Sequence, residues 1–140
     1  MAGEQIPAVV ELKIPCRPEF VGVARLAMLG VASRMRFSYD DVEDIRLAVG
    51  EACTMAVERG AAAQKNDTVI TINSEISEGK LSIEVWDEVG PMQETSQASE
   101  SPEDLDPDEI GRVLMELLVD EFKVEPTPEG TLVRMVKYSG

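Results

Sequence analysis

One long amphipathic helix, predicted over residues 42–60, constrains this chain more than any other segment. Its apolar residues recur at helical spacing and predict a face turned to a core: Val42, Ile45, Val49, Ala52 and Ala56. Glu51, Met55 and Glu58 are separated by intervals of four and three and share a different strip of the same helix. The helix therefore combines a core-facing side with a strip that carries acidic groups.

The other segments predict a sheet built mainly from hairpins. Short β-rich or alternating runs predict strands over residues 8–14, 69–76, 81–86, 121–125 and 131–138. Further helices are predicted over residues 19–35 and 107–120, the second with Asp106 as its N-cap. Ser38 followed by Asp41 predicts the capping box that starts the long helix. This order indicates an α/β (α+β) fold, a two-layer sandwich with a mixed or antiparallel sheet and helices on one face.

The length of the chain bounds its organisation. With 140 residues and 44% hydrophobic content, residues 1–140 are expected to form a single domain. Residues 88–107 are polar and lack periodicity, which predicts a long loop that is functional or disordered. The span from residue 81 to 111 holds ten acidic residues and no Lys or Arg.

The charge of the chain limits its partners. A formal net charge of -14 and a pI near 4.3 argue against direct contact with nucleic acid or an anionic membrane, because phosphate binding needs Lys and Arg clusters. One explanation of the acidity is solubility, and the alternative is an acidic face that binds a basic protein partner.

The chain has no His, which removes the commonest general base and His-containing zinc sites. Cys16 and Cys53 suggest reduced thiols, and no apolar run reaches about 18 residues, so a soluble, cytoplasmic protein is expected.

The run Glu-Ala-Cys-Thr-Met-Ala-Val-Glu-Arg, from Glu51 to Arg59, closely resembles the helix motif of the anti-sigma factor serine kinases. These are small bacterial regulators built on the histidine-kinase-like ATPase fold. The resemblance spans nearly the whole chain and implies a nucleotide site between helices and sheet, with the loop 88–107 as its lid. It also implies that Glu51 is a general base toward a hydroxyl or water, a task that needs a carboxylate within hydrogen-bond reach. The alternative is a solvated helix carboxylate.

Met55 stands where this family normally has Asn, the residue that holds the magnesium ion of bound ATP. Magnesium prefers oxygen ligands in octahedral geometry, whereas a thioether is soft and weakly basic. No metal ligand is therefore expected at this position. Arg59 stands where many relatives have His, which is a lesser change.

The resemblance places nucleotide contacts at Asp87, Gly90, Gly111 and Thr131. Asp87 matches the aspartate that accepts a hydrogen bond from the adenine amino group. The Gly expected two residues later is Val89 here, which tolerates positive φ poorly, and Gly90 comes one residue late. Gly111 is what remains of the lid-end glycines that cradle phosphates, because carboxylates replace the others. Thr131 matches a residue that lies near the phosphates.

These residues leave two functions open. The first is a binding module that sequesters a sigma factor or pairs with its antagonist protein, with ATP binding and kinase activity lost or impaired and no cofactor. The second is an active serine kinase that uses ATP and magnesium to phosphorylate the antagonist, with Glu51 as base. A weaker alternative is a pocket for an uncharged or cationic small ligand, which the acidic loop favours. Family members also dimerise, so a homodimer is implied, with residues 8–14 and 19–35 as its face.

Overall fold

The sheet forms the base of the molecule and carries helices on one side. The structure is a computed structural model that describes residues 8–90 and 107–139. In these ranges it has five strands: β1 (Ala8–Pro15), β2 (Val69–Ser77), β3 (Lys80–Asp87), β4 (Glu121–Pro126) and β5 (Thr131–Tyr138). Their order is β1-β2-β3-β5-β4, and every neighbouring pair is antiparallel. The predicted fold class is confirmed, and the sheet is antiparallel rather than mixed.

Three α-helices are described, α1 (Val21–Ala32), α2 (Tyr39–Ala62) and α3 (Pro107–Leu118). Alternate residues of the inner strands are buried beneath them: Ile70, Ile72, Leu81, Ile83, Val85, Val133 and Met135. The first helix is shorter than predicted at both ends, because Pro18–Phe20 forms a separate 3-10 turn and the chain leaves the helix after Ala32 through turn hydrogen bonds. Proline fixes φ and lacks an N–H, which suits it to such a first turn.

The start of α2 is fixed by the predicted cap. The side chain of Ser38 accepts a hydrogen bond from the backbone N–H of Asp41 at 3.1 Å. Along the packed face of α2, small buried residues allow α1 to come close. A Cβ placed at Gly50 would collide with the Nε of Arg25, so a larger residue here would force the Arg25 side chain to move. The long helix is thereby held against both α1 and the sheet.

Lys137 joins the ends of three elements. Its Nζ donates to the carbonyl oxygen of Leu118, the last residue of α3, at 2.9 Å. The same Nζ lies 3.6 Å from Asp41 Oδ1 and 3.7 Å from Asp44 Oδ2 in the first turns of α2. The helix predicted to run to residue 120 ends two residues earlier, because the N–H of Asp120 donates to Val136 in β5.

Some predictions fall outside the described residues. Residues 91–106, which include most of the predicted lid and the predicted N-cap Asp106, are among these. The lid and the single-domain organisation of residues 1–140 therefore stay predictions. Among the described residues, no helix has the length and apolar character needed to cross a membrane.

Candidate functional site

Three side chains of α2 point into the space between α2, α3 and β5. Glu51, Met55 and Arg59 follow at four-residue spacing and so lie along one side of the helix. Glu51 is half-buried, Met55 is 5% exposed and the Arg59 side chain is 11% exposed. Glu58, which the sequence pattern placed on this strip, faces solvent. Arg59 therefore continues the inward-facing part of the strip in its place.

Asp87, at the end of β3, is 2% exposed and uses both carboxylate oxygens within the protein. The guanidinium Nη2 of Arg59 donates to Oδ2 in a buried ion pair. The backbone N–H of Val89 donates to Oδ1 at 3.1 Å. A carboxylate buried this deeply needs such a charged partner. The position expected to accept from adenine thus accepts from an internal arginine.

The turn after β3 explains why its glycine lies one residue later than the resemblance implies. Gly90 has φ 94°, a backbone conformation that glycine adopts at little cost. Val89 precedes it, needs no positive φ and buries its side chain to 6% exposure. Lys65 Nζ donates to the Val89 carbonyl oxygen at 3.0 Å and holds the turn against the end of α2. Gly60 faces the Val89 side chain, since a Cβ at Gly60 would lie 3.6 Å from Val89 Cγ2.

Gly111 does not line an open cradle in this structure. It is buried, and a Cβ placed on it would lie 2.6 Å from Met55 Sδ and 2.9 Å from Glu51 Oε1. The first turns of α3 therefore rest directly on the strip of α2. Glycine at this position allows the two helices to meet with no side chain between them. The structure brings Glu51, Met55 and Gly111 together in one contact.

Thr131 begins β5 and lies opposite Asp87 in the strand register. It is 2% exposed, and its Oγ1 has no hydrogen-bond partner among the described residues. The preceding Gly130 is also required, because a Cβ there would collide with the carbonyl oxygen of Asp87. The same Cβ would lie 2.8 Å from the Trp86 ring, so the β5 hairpin closes tightly over the end of β3.

One small enclosed space lies beside Met55, Arg59 and Thr131, and Glu51, Asp87 and Gly111 do not line it. It is a cavity of about 10 Å³, lined by residues of α2, α3, β4 and β5: Ala52, Met55, Arg59, Arg112, Met115, Val124, Thr131 and Val133. A volume of about 10–15 Å³ is the least that holds one water molecule. This space therefore holds at most about one water molecule.

Sequence reasoning did not predict the ion pair between Arg59 and Asp87. Arg59 was recognised as a departure, but its partner Asp87 lies 28 positions along the chain, and helical spacing does not report such a pairing. Lys65 and Gly130 were also missed as site residues. A signal for Arg59 was available, because it follows Glu51 and Met55 at the same four-residue interval.

The architecture and the sequence define the class of protein. A family model described as the histidine kinase-like ATPase domain matches residues 14–137. The RsbU and RsbW domains of a Mycobacterium tuberculosis protein superpose with TM-score 0.71 at 17% identity, over 94% of this chain and 32% of that chain. The histidine kinase domain of a blue-light-activated kinase from Erythrobacter litoralis gives TM-score 0.56 at 20% identity, over 89% and 61% of the two chains. These structural likenesses concern the fold.

The relatives with curated descriptions identify the family within this class of protein. The serine-protein kinase RsbW of Bacillus velezensis is 38% identical over 92% of this chain and 84% of its own length. The serine-protein kinase RsbW of Bacillus subtilis has the same identity and coverage. The chain belongs to the anti-sigma factor serine kinase family within the histidine kinase-like ATPases.

The family implies ATP and magnesium in its active members, and two residues of this chain bear on that requirement. Met55 offers a buried thioether in place of an oxygen ligand. Asp87 has both oxygens engaged, by the Arg59 guanidinium and by the backbone N–H of Val89. Within residues 8–90 and 107–139, no group of three or more His, Cys, Asp or Glu residues is arranged to hold a metal ion. As arranged, Met55 does not offer the magnesium ligand expected at its position, and Asp87 does not offer a free oxygen to adenine.

Proposed function

We propose that this protein is a regulatory binding module, which acts by stoichiometric contact with a sigma factor or with the antagonist of one. In this proposal ATP binding and kinase activity are lost or impaired. The observation that carries it is the buried Arg59–Asp87 ion pair, which occupies the carboxylate expected to accept from adenine. The protein acts in the cytoplasm, on a protein partner and without direct contact with nucleic acid or membrane.

Two further contacts support the proposal. Met55 removes the expected oxygen ligand for magnesium, and Gly111 packs on Met55 and Glu51 rather than standing clear of them. Opening this space for a nucleotide would require α3 to move off α2 and Arg59 to leave Asp87. Both movements cost free energy that nucleotide binding would have to supply, which lowers the apparent affinity.

The alternative is an active serine kinase that phosphorylates the antagonist. It is favoured by the 38% identity to curated serine-protein kinases and by Glu51, which keeps the position of the proposed base. The buried hydroxyl of Thr131, unpartnered among the described residues, is a second feature in its favour. In this alternative Asp87, Gly90, Gly111 and Thr131 would be the nucleotide contacts.

Calorimetric titration with ATP, with and without magnesium, separates the two functions. The binding module predicts no heat of binding at millimolar ATP in either condition. Magnesium-dependent binding in the micromolar range would contradict the proposal. Transfer of the γ-phosphate to a serine-bearing antagonist would then test the kinase function directly.

Restoration of the site provides a second test. Met55→Asn combined with Arg59→His should bring measurable ATP binding, because it supplies an oxygen ligand and releases Oδ2 of Asp87. Met55→Asn combined with Val89→Gly leaves the ion pair in place and serves as the matched control. Equal gains in both double variants would show that Arg59 is not the barrier.

A further inference from the structure

The apolar face of α3 is wider than the portion of that face that packs against the rest of the protein. Gly111 and Met115 are buried towards α2. Further round the helix lie four exposed apolar residues, here called the α3 stripe: Ile110, Val113, Leu114 and Leu117, which are 42–78% exposed. At about 100° per residue, the buried and exposed apolar residues together span roughly half the circumference. A helix packed on one layer needs an apolar face of only about 100°.

The spacing within the α3 stripe is i, i+3, i+4, i+7. This is the pattern with which one helix meets another in a helix–helix contact. Scattered exposed apolar side chains are ordinary on protein surfaces, but a contiguous set marks an interaction site. The most exposed member is Leu117 at 78%, and Val113 lies farthest round the helix from Gly111 and Met115.

Charge borders the α3 stripe on its outer side. Glu109 and Glu116 are exposed and, being two turns apart, lie along the same edge of the helix. On the other side, Leu114 joins the stripe to the buried face. A partner that covers the α3 stripe must therefore present apolar side chains to its centre and polar groups to an acidic rim.

Charge complementarity decides between the candidate occupants. A second copy of this chain carries the same net charge of -14, and a two-fold contact would bring its acidic rim towards this one. Residues 91–106 contain five acidic residues and no Lys or Arg: Glu94, Glu100, Glu103, Asp104 and Asp106. Either of these occupants would place acidic residues beside Glu109 and Glu116, where like charges repel. A basic segment of another protein is attracted at the same positions.

We propose that the α3 stripe is a docking site for an amphipathic helix of a protein partner, with Lys or Arg beside its apolar face. The apolar residues of that helix pack on Val113 and Leu117, and its basic residues pair with Glu109 and Glu116. The inference extends the proposed function, which requires a protein-binding surface. Its test involves no nucleotide and no sigma factor, so either proposal can fail without the other.

The probe is a fluorescein-labelled helical peptide of about five turns, with Leu at i, i+3, i+4 and i+7 and Lys elsewhere. Its anisotropy is titrated with the full chain at about 0.15 M ionic strength. A scrambled peptide of the same composition controls for attraction by net charge alone. The variant Val113→Ser/Leu117→Ser shortens two exposed side chains of the stripe. Its matched control is Val23→Ser/Leu26→Ser, which alters residues of similar exposure on α1.

The stripe variant should weaken peptide binding about tenfold or more, whereas the α1 variant should change it by less than about twofold. The variant Glu109→Gln/Glu116→Gln should lower the affinity and flatten its dependence on salt. Circular dichroism shows whether each variant remains folded. Equal losses in the stripe and α1 variants, or equal affinity for the scrambled peptide, would overturn the proposal. A wild-type dimer that the stripe variant dissociates would overturn it in favour of a second copy.

Discussion

At the scale of single residues, the ion pair of Arg59 and Asp87 makes the sharpest prediction. Arg59→Met leaves a carboxylate that is 2% exposed without its charged partner. We expect a loss of about 3–5 kcal/mol in the free energy of unfolding, measured by urea denaturation, because the unpaired charge stays buried. Asp87→Asn in the same background should recover part of this loss.

Arg46→Met is the matched control for this experiment. Arg46 lies on the same helix and pairs with Glu43, but both side chains are about one third exposed. Its removal should cost less than about 1 kcal/mol, as for other solvated pairs. Similar small losses in both variants would show that the Arg59 pair is no more important than a surface contact.

The buried thiols predict a dependence of stability on alkaline pH. Burial raises the pKa of Cys53 to about 12 from an ordinary value of 9.0, and burial also raises the pKa of Cys16. The unfolded chain therefore loses the Cys53 proton first as pH increases. The stabilising contribution is complete below pH 9.0 and is lost as pH rises towards 12.

The measurement is the unfolding free energy of the wild type and of Cys53→Ala across this pH range. The wild type should lose up to about 1.4 kcal/mol more per pH unit than the variant. Parallel pH profiles would contradict the assignment. In a separate check at pH 8, Ellman's reagent should react with Cys16 and Cys53 only after denaturation, because both are fully buried.

Residue types and spacing predicted candidate positions for a site but not how their side chains would pair. Helical periodicity predicted a strip of α2 that includes Glu51 and Met55. Met55 was recognised as a departure from the family motif, and Gly111 as the lid-end glycine that the chain keeps. Their mutual contact was not predicted, because it depends on how α3 crosses α2. The turn at Gly90 shows the same limit. A glycine displaced by one residue looked like a loss, yet the backbone places its positive φ there.

At the scale of elements, the connection made by Lys137 is the contact to test. Its Nζ satisfies the terminal carbonyl of α3 and lies near two carboxylates of α2, while the residue is only 9% exposed. Lys137→Met keeps the aliphatic bulk and removes the charge. We expect a loss of about 2–3 kcal/mol in unfolding free energy, since hydrogen bonds to charged groups and helix ends are lost together.

Lys123→Met provides the comparison for Lys137. Lys123 pairs with Glu125 along the edge strand β4 at 3.0 Å, with its side chain 68% exposed. Such a pair contributes at most about 1 kcal/mol. A Lys137 variant no less stable than the Lys123 variant would mean that α3 is held by its apolar contacts alone.

The elements themselves were largely predictable. Alternation in β2 and β3 predicted two strands joined by a turn, and the structure pairs them as an antiparallel hairpin. The prediction was wrong at the helix ends, where Pro18–Phe20 separates from α1 and Asp120 leaves α3 to join β5. In both places a contact with a distant element or a local backbone constraint outweighs periodicity.

At the scale of the whole molecule, the net charge of -14 predicts that salt stabilises the fold. Self-repulsion among carboxylates raises the energy of the compact state and is screened by ions. We expect the melting temperature to rise by about 3–6 °C between roughly 0.01 and 0.15 M NaCl, equivalent to about 1 kcal/mol. The rise should level off above this range. A continued linear increase to molar salt would indicate ion exclusion from the surface instead.

The closure of the β5 hairpin over Trp86 has an optical consequence. Trp86, which directly precedes Asp87, is the one tryptophan among the chain's 140 residues. Its indole ring lies against Gly130. Its emission therefore originates from a single environment at the end of β3. The intrinsic fluorescence of the unlabelled protein is a built-in reporter of whether this corner opens, whatever molecule opens it.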